Sequence, residues 1–75
     1  MSKALKTLAE YIHEKRLIYP DIAAIVGCSP QYIGMIAKGL RTPSFIVAVR
    51  IERATLGEVS RENWYPRGDD YVNLE

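Results

Sequence analysis

An all-α fold is what this sequence predicts, in the form of a small bundle of four to five short helices. Three observations carry that expectation. Apolar residues recur at three- and four-residue spacing along most of the chain, and no five-residue stretch alternates apolar and polar as a half-buried strand would. Serine, proline and glycine fall between these segments as helix starts and stops. At 75 residues, 48% hydrophobic and 25% charged, the chain has an ordinary globular composition with room for one modest core.

The elements follow in order. Ser2 is expected to cap a first helix whose apolar positions Leu5, Leu8, Ala9 and Ile12 share one face. Lys3, Lys6, Glu10 and Glu14 fall opposite, and the helix fades over residues 15–17. Pro20 and Asp21 restart the chain as a second helix with Ile22, Ala23 and Val26 inward, stopped by Gly27. Ser29-Pro30 is the sharpest local signal. Serine is a preferred N-cap, and proline at the first helical position loses no hydrogen bond there. A third helix is therefore predicted over 30–38, released by Gly39, with a turn over 40–43. Ser44 caps a fourth helix from Phe45 to about Thr55, closed by Gly57, and residues 60–64 read as one further helical turn before Pro66.

Charge is distributed unevenly. The net charge is only +1, yet residues 1–57 are basic and residues 58–75 acidic. A phosphate-facing patch needs local positive charge, so a near-zero total does not exclude one. Residues 1–67 are expected to form the domain and 68–75 an acidic tail. The single cysteine, Cys28, allows no internal disulfide and suits a reducing cytoplasm. The N-terminus turns polar at once, and the longest apolar run, residues 45–49, is far short of the roughly 20 residues of a membrane span.

Catalytic chemistry finds no support in the residues. There are no paired carboxylates, no His/Cys cluster, no nucleophile beside a base and no phosphate loop. His13 is the only histidine and has no partner at ligand spacing, so neither a metal nor a cofactor is expected.

The third helix offers a different chemistry. At 100° per residue, Ile33, Ile36 and Ala37 fall on one face; Gln31, Met35 and Lys38 point the opposite way, with Gly34 beside them and Tyr32 on a flank. Residues 20–39 resemble the helix-turn-helix of the Cro and repressor family of phage regulators. Ala23, Gly27, Ser29, Ile33 and Gly39 match that pattern in register. Downstream, residues 51–67 ("IERATLGEVSRENWYPR") look like the segment that closes the domain in YdaS-like and Cro-like small phage regulators.

The resemblance implies a lambda-repressor-like DNA-binding domain in a bacterial cell or phage-infected host. It places Pro30, Gln31, Tyr32 and Met35 at the groove-facing positions. Gln31 can bond adenine N6 and N7 as a bidentate pair, and Met35 and the Tyr32 ring can pack on a thymine methyl. Lys38, Arg41 and Tyr19 are expected at phosphates, which position without specifying, as are the amides at the start of the second helix. On the reading face Pro30, Gly34 and Met35 offer no side-chain hydrogen bond, which implies modest specificity or readout of DNA shape.

The fourth helix shows two apolar stripes, Val47-Ile51-Ala54 and Phe45-Val49-Leu56. One short half-site gives little selectivity, so a homodimer is expected, with Val47, Ile51, Trp64 and Tyr65 as interface candidates. In the competing arrangement Trp64 and Tyr65 fold back over the second stripe and finish the core. As to function, a sequence-specific transcriptional regulator acting on double-stranded DNA is the first expectation. An antitoxin-like or adaptor module that binds another protein through the same fold is the alternative.

Overall fold

The computed structural model describes residues 5–66. The Ser2 cap and the acidic residues 68–75 lie outside them. Among the described residues there are four α-helices and no strand: α1 (Leu8–Lys15), α2 (Tyr19–Val26), α3 (Pro30–Ala37) and α4 (Phe45–Ala54), followed by a 3₁₀ turn (Arg61–Asn63).

Local chemistry sets each boundary. The first helix starts later than its apolar spacing suggested, because Thr7 and Glu10 form a capping box. The Thr7 hydroxyl accepts from the Glu10 N–H at 3.1 Å, and the Glu10 carboxylate accepts from the Thr7 N–H at 2.9 Å. Leu5 and Lys6 therefore precede the helix, and Ala9 is exposed; only Leu8 and Ile12 of the expected apolar face are buried. Arg16 ends α1 in the left-handed conformation, at φ 56°.

The second helix opens with the Asp21 carboxylate accepting from the Ile18 N–H at 3.0 Å. It closes at Gly27, whose φ of 89° favours a residue without a side chain. Ser29 caps α3 by accepting from the Tyr32 N–H at 3.1 Å, and Ser44 caps α4 by accepting from the Val47 N–H at 3.3 Å. The starts expected at Ser29-Pro30 and Ser44 are thus the observed ones.

The core is built from Leu8 and Ile12 of α1, Ile22, Ala23 and Val26 of α2, Ile33 and Ile36 of α3, Ile51 of α4, and Val59. The second helix packs chiefly against α3, and α4 lies across α2. Ala23, expected to face inward from the second helix, is only 2% exposed.

On α4 the fully buried row is Ala48, Ile51 and Thr55; of the first stripe read from the sequence Ile51 belongs to this row, and Val47 and Ala54 are half-buried against the core. Thr55 satisfies its hydroxyl fully. It donates to the Ile51 carbonyl at 2.9 Å and accepts from the Val59 N–H at 3.0 Å, so the chain turns back beneath α4 without an unpaired polar group.

The segment after α4 closes the domain. Asn63 donates to the Lys6 and Ser60 carbonyls at 3.0 and 2.8 Å, and Trp64 packs against the core. The Tyr65 hydroxyl donates to the Pro43 carbonyl at 2.8 Å, and its ring stands edge-on to Phe45 with centroids 5.4 Å apart. Trp64 and Tyr65 thus fold back, as in the second of the two expected arrangements. Leu56, assigned to the stripe they were to cover, is instead 91% exposed beyond the helix end.

Candidate nucleic-acid interface

The outer face of α3 depends on how the helix is held. Ile33 and Ile36 are buried and Ala37 half-buried, which anchors one side and turns Pro30, Gln31, Met35 and Lys38 outward. Gly34 was expected beside those outward residues, yet it is buried. A Cβ there would lie 3.0 Å from Cε2 of Tyr19, so glycine is what lets the tyrosine ring approach the helix this closely. Tyr19 then forms one wall of an open depression of about 380 Å³ that also takes in Gln31, Met35 and Lys38. Its hydroxyl makes no hydrogen bond within the described residues, so it stays available at the rim.

Tyr32, assigned by the resemblance to the groove-facing set, serves the scaffold. Its hydroxyl accepts from the Ser44 N–H at 3.3 Å and ties α3 to the start of α4. The Arg41 guanidinium lies over its ring, 5.8 Å from the centroid. Hydrogen bonding to Ser44 and half-burial hold Tyr32 on the flank, and the ring steers Arg41 instead.

The start of α2 is not open to a phosphate as expected. Asp21 already occupies the Ile18 N–H, and its own N–H bonds the Ile18 carbonyl at 3.0 Å. A carboxylate fixed at a helix N-terminus repels a second anion there.

The charges sort themselves across the molecule. Lys6 bridges Glu14 at 2.7 Å and Glu58 at 2.9 Å, Lys15 lies 3.5 Å from Glu58, and Arg61 pairs with Glu52 at 2.9 Å. Glu10 and Asp21 cap helices. Ion pairing and capping thus take up most of the acidic groups among the described residues. Arg16, Lys38, Arg41, Arg50 and Arg53 form no ion pair among the described residues.

Three of those cations border α3. Lys38 shares with Arg16, His13 and Tyr19 an open depression of about 740 Å³ between α1, α2 and the end of α3. Arg41 stands on the other flank, at Tyr32. Sequence reasoning missed Arg16, because nothing in the local pattern distinguishes a cation at a helix end from ordinary surface charge. Its left-handed backbone is the one signal, and only the structure reveals it.

The other pair, Arg50 and Arg53, borders a separate groove between α2 and α4 together with the exposed Ile25. Cys28 is half-buried beside it. Burial pushes its thiol above the usual range and the nearby Arg50 pulls the other way, which keeps the thiol largely protonated and unreactive.

Of the interface candidates for a dimer, Ile51 is fully buried and unavailable to a partner. Val47 and Trp64 are half-buried against the core, and Tyr65 is held by Pro43 and Phe45. No group of three or more His, Cys, Asp or Glu side chains able to hold a metal occurs among the described residues. No helix among them is long and apolar enough to cross a membrane.

Comparison with known proteins returns no match: no family model, no curated protein and no solved structure is significantly similar to the chain.

Proposed function

We propose that the protein is a DNA-binding transcriptional regulator in which α2 and α3 act as a helix-turn-helix and α3 enters the major groove. The observation that carries this reading is the arrangement around α3. An exposed row of Gln31, Met35 and Lys38 is flanked by cations free of ion pairs, Arg16 and Lys38 on one side and Arg41 on the other.

In this reading Gln31 contacts a base edge, Met35 packs on apolar base surface, and Arg16, Tyr19, Lys38 and Arg41 take phosphates on the two strands. The field of the unpaired cations draws DNA to this face. A homodimer on a palindromic site supplies the selectivity that one helix lacks. Its contact would have to use exposed residues such as Leu40 and Ile46, which are 71% and 53% exposed, in place of Ile51.

The second reading, a protein-interaction module, is favoured by the groove beside Ile25, where Arg50 and Arg53 would meet an acidic partner.

Paired substitutions test the first reading. Gln31→Ala should weaken binding to the preferred site by about 1–3 kcal/mol with unchanged helicity. Arg41→Ala should weaken all sequences alike and lower the salt slope by about one unit. Parent-like binding by both variants would place DNA, if bound at all, on another face.

A further inference from the structure

We infer that the groove between α2 and α4 holds a short acidic, amphipathic segment of a partner protein, with carboxylates on Arg50 and Arg53 and an aliphatic side chain against Ile25. The inference rests on the interaction reading for its location. It stands apart from the DNA-binding reading, since the groove shares no lining residue with the depression on the outer face of α3. The groove is an open depression of about 450 Å³ lined by Ile25 and Val26 of α2 and by Arg50, Arg53 and Ala54 of α4. Ile25 is 65% exposed although Ile22 and Val26 beside it are buried, so α2 turns one large apolar side chain away from the core.

Arg50 and Arg53 lie three residues apart on α4, which makes them neighbours on one face. Both are exposed and form no ion pair among the described residues. Arg50 is set against the end of α2, where a Cβ on Gly27 would lie 3.6 Å from its Nη1. Two open guanidiniums beside an exposed aliphatic side chain suit a ligand that carries carboxylates and apolar groups together. An amphipathic peptide segment supplies both. A nucleic-acid duplex offers phosphates along its backbone, with no aliphatic side chain between them to cover Ile25. A second copy of the chain offers apolar groups but few carboxylates. Among its described residues Glu10 and Asp21 cap helices, Glu14, Glu52 and Glu58 are held in ion pairs, and Glu62 alone is left.

The test starts from the full chain and a displayed library of random peptides of about a dozen residues, enough for a few helical turns. Sequences with Asp or Glu close to Leu, Ile or Val should be enriched. No enrichment, or enrichment of basic or wholly apolar sequences, overturns the inference. An enriched peptide added to isotope-labelled protein should move the methyl resonances of Ile25, Val26 and Ala54 and leave that of Met35 in place. Movement confined to other residues would keep an interaction role for the protein but overturn the groove as its place.

Variants then separate charge from apolar contact. Arg50→Ala/Arg53→Ala should weaken the peptide about three- to fivefold at low salt. That loss should shrink as the Debye length falls from about 30 Å at 0.01 M salt to about 10 Å at 0.1 M. Ile25→Ser should weaken it about fivefold at either salt concentration. All three residues are exposed, so both variants should keep the parent helicity. Parent-like affinity in either variant overturns the inference. So would a short random-sequence duplex that moves the Ile25 and Ala54 methyls, or self-association that Ile25→Ser abolishes, since each gives the groove another occupant. If the peptide maps to the groove while no duplex binds the protein, the DNA-binding reading fails and this inference stands.

Discussion

Arg16 shows how a single residue separates stability from function. It ends α1 with φ 56° and ψ 46°, a conformation that costs an L-residue with a side chain about 1 kcal/mol relative to glycine. A folding requirement alone would be met better by glycine at that position. Arg16→Gly is therefore expected to raise stability by about 0.5–1 kcal/mol in chemical denaturation while weakening DNA binding at low salt. A variant that gains stability and keeps full affinity would leave Arg16 no phosphate role.

Gly34 is the complementary case, a glycine held in place by a neighbour. In a helix interior, alanine gains up to about 1 kcal/mol over glycine, but here its Cβ would press on Tyr19. Gly34→Ala should thus gain little in the parent and about 0.5–1 kcal/mol in a Tyr19→Ala background. Equal effects in the two backgrounds would mean that Tyr19 does not rest on the helix.

At the scale of elements, the starts of α3 and α4 were legible because Ser29-Pro30 and Ser44 act within one turn of themselves. The start of α1 was misread since its apolar spacing continues through Leu5, while Thr7 and Glu10 decide where the backbone turns helical. The outward row of Gln31, Met35 and Lys38 was also legible, from helical geometry alone. Gly34, Tyr32 and Arg16 were not, because each depends on what another element brings beside it.

Thr55 was invisible for the same reason. Its role follows from Val59, four residues on, whose N–H has no other partner once the chain has turned beneath α4. Thr55→Val keeps the shape and leaves that N–H unpaired, so thermal or urea unfolding should register a loss of about 1–3 kcal/mol. A neutral effect would show that the turn satisfies the amide in another way.

For the molecule as a whole, the sorting of charge links folding to the proposed activity. Acidic groups are spent on caps and ion pairs, and three of the five cations without an ion pair among the described residues, Arg16, Lys38 and Arg41, border α3. Glu58 makes this testable by pH. Hydrogen bonding from Lys6, with Lys15 nearby, holds its carboxyl below the usual range, so its contribution is present above the unfolded value of about 4.3 and is lost as pH falls through the lower folded value. The melting temperature of the parent should fall more steeply below about pH 4.3 than that of Glu58→Gln. Identical acid profiles would remove Glu58 from the balance.

The proposed function itself meets its most direct test in selection from random duplex DNA at two salt concentrations. Enrichment of a palindromic motif with half-sites about 10 base pairs apart, weakening steeply with salt, is the result expected of α3 reading the major groove in a dimer. Recovery of no enriched sequence at either salt concentration would contradict it.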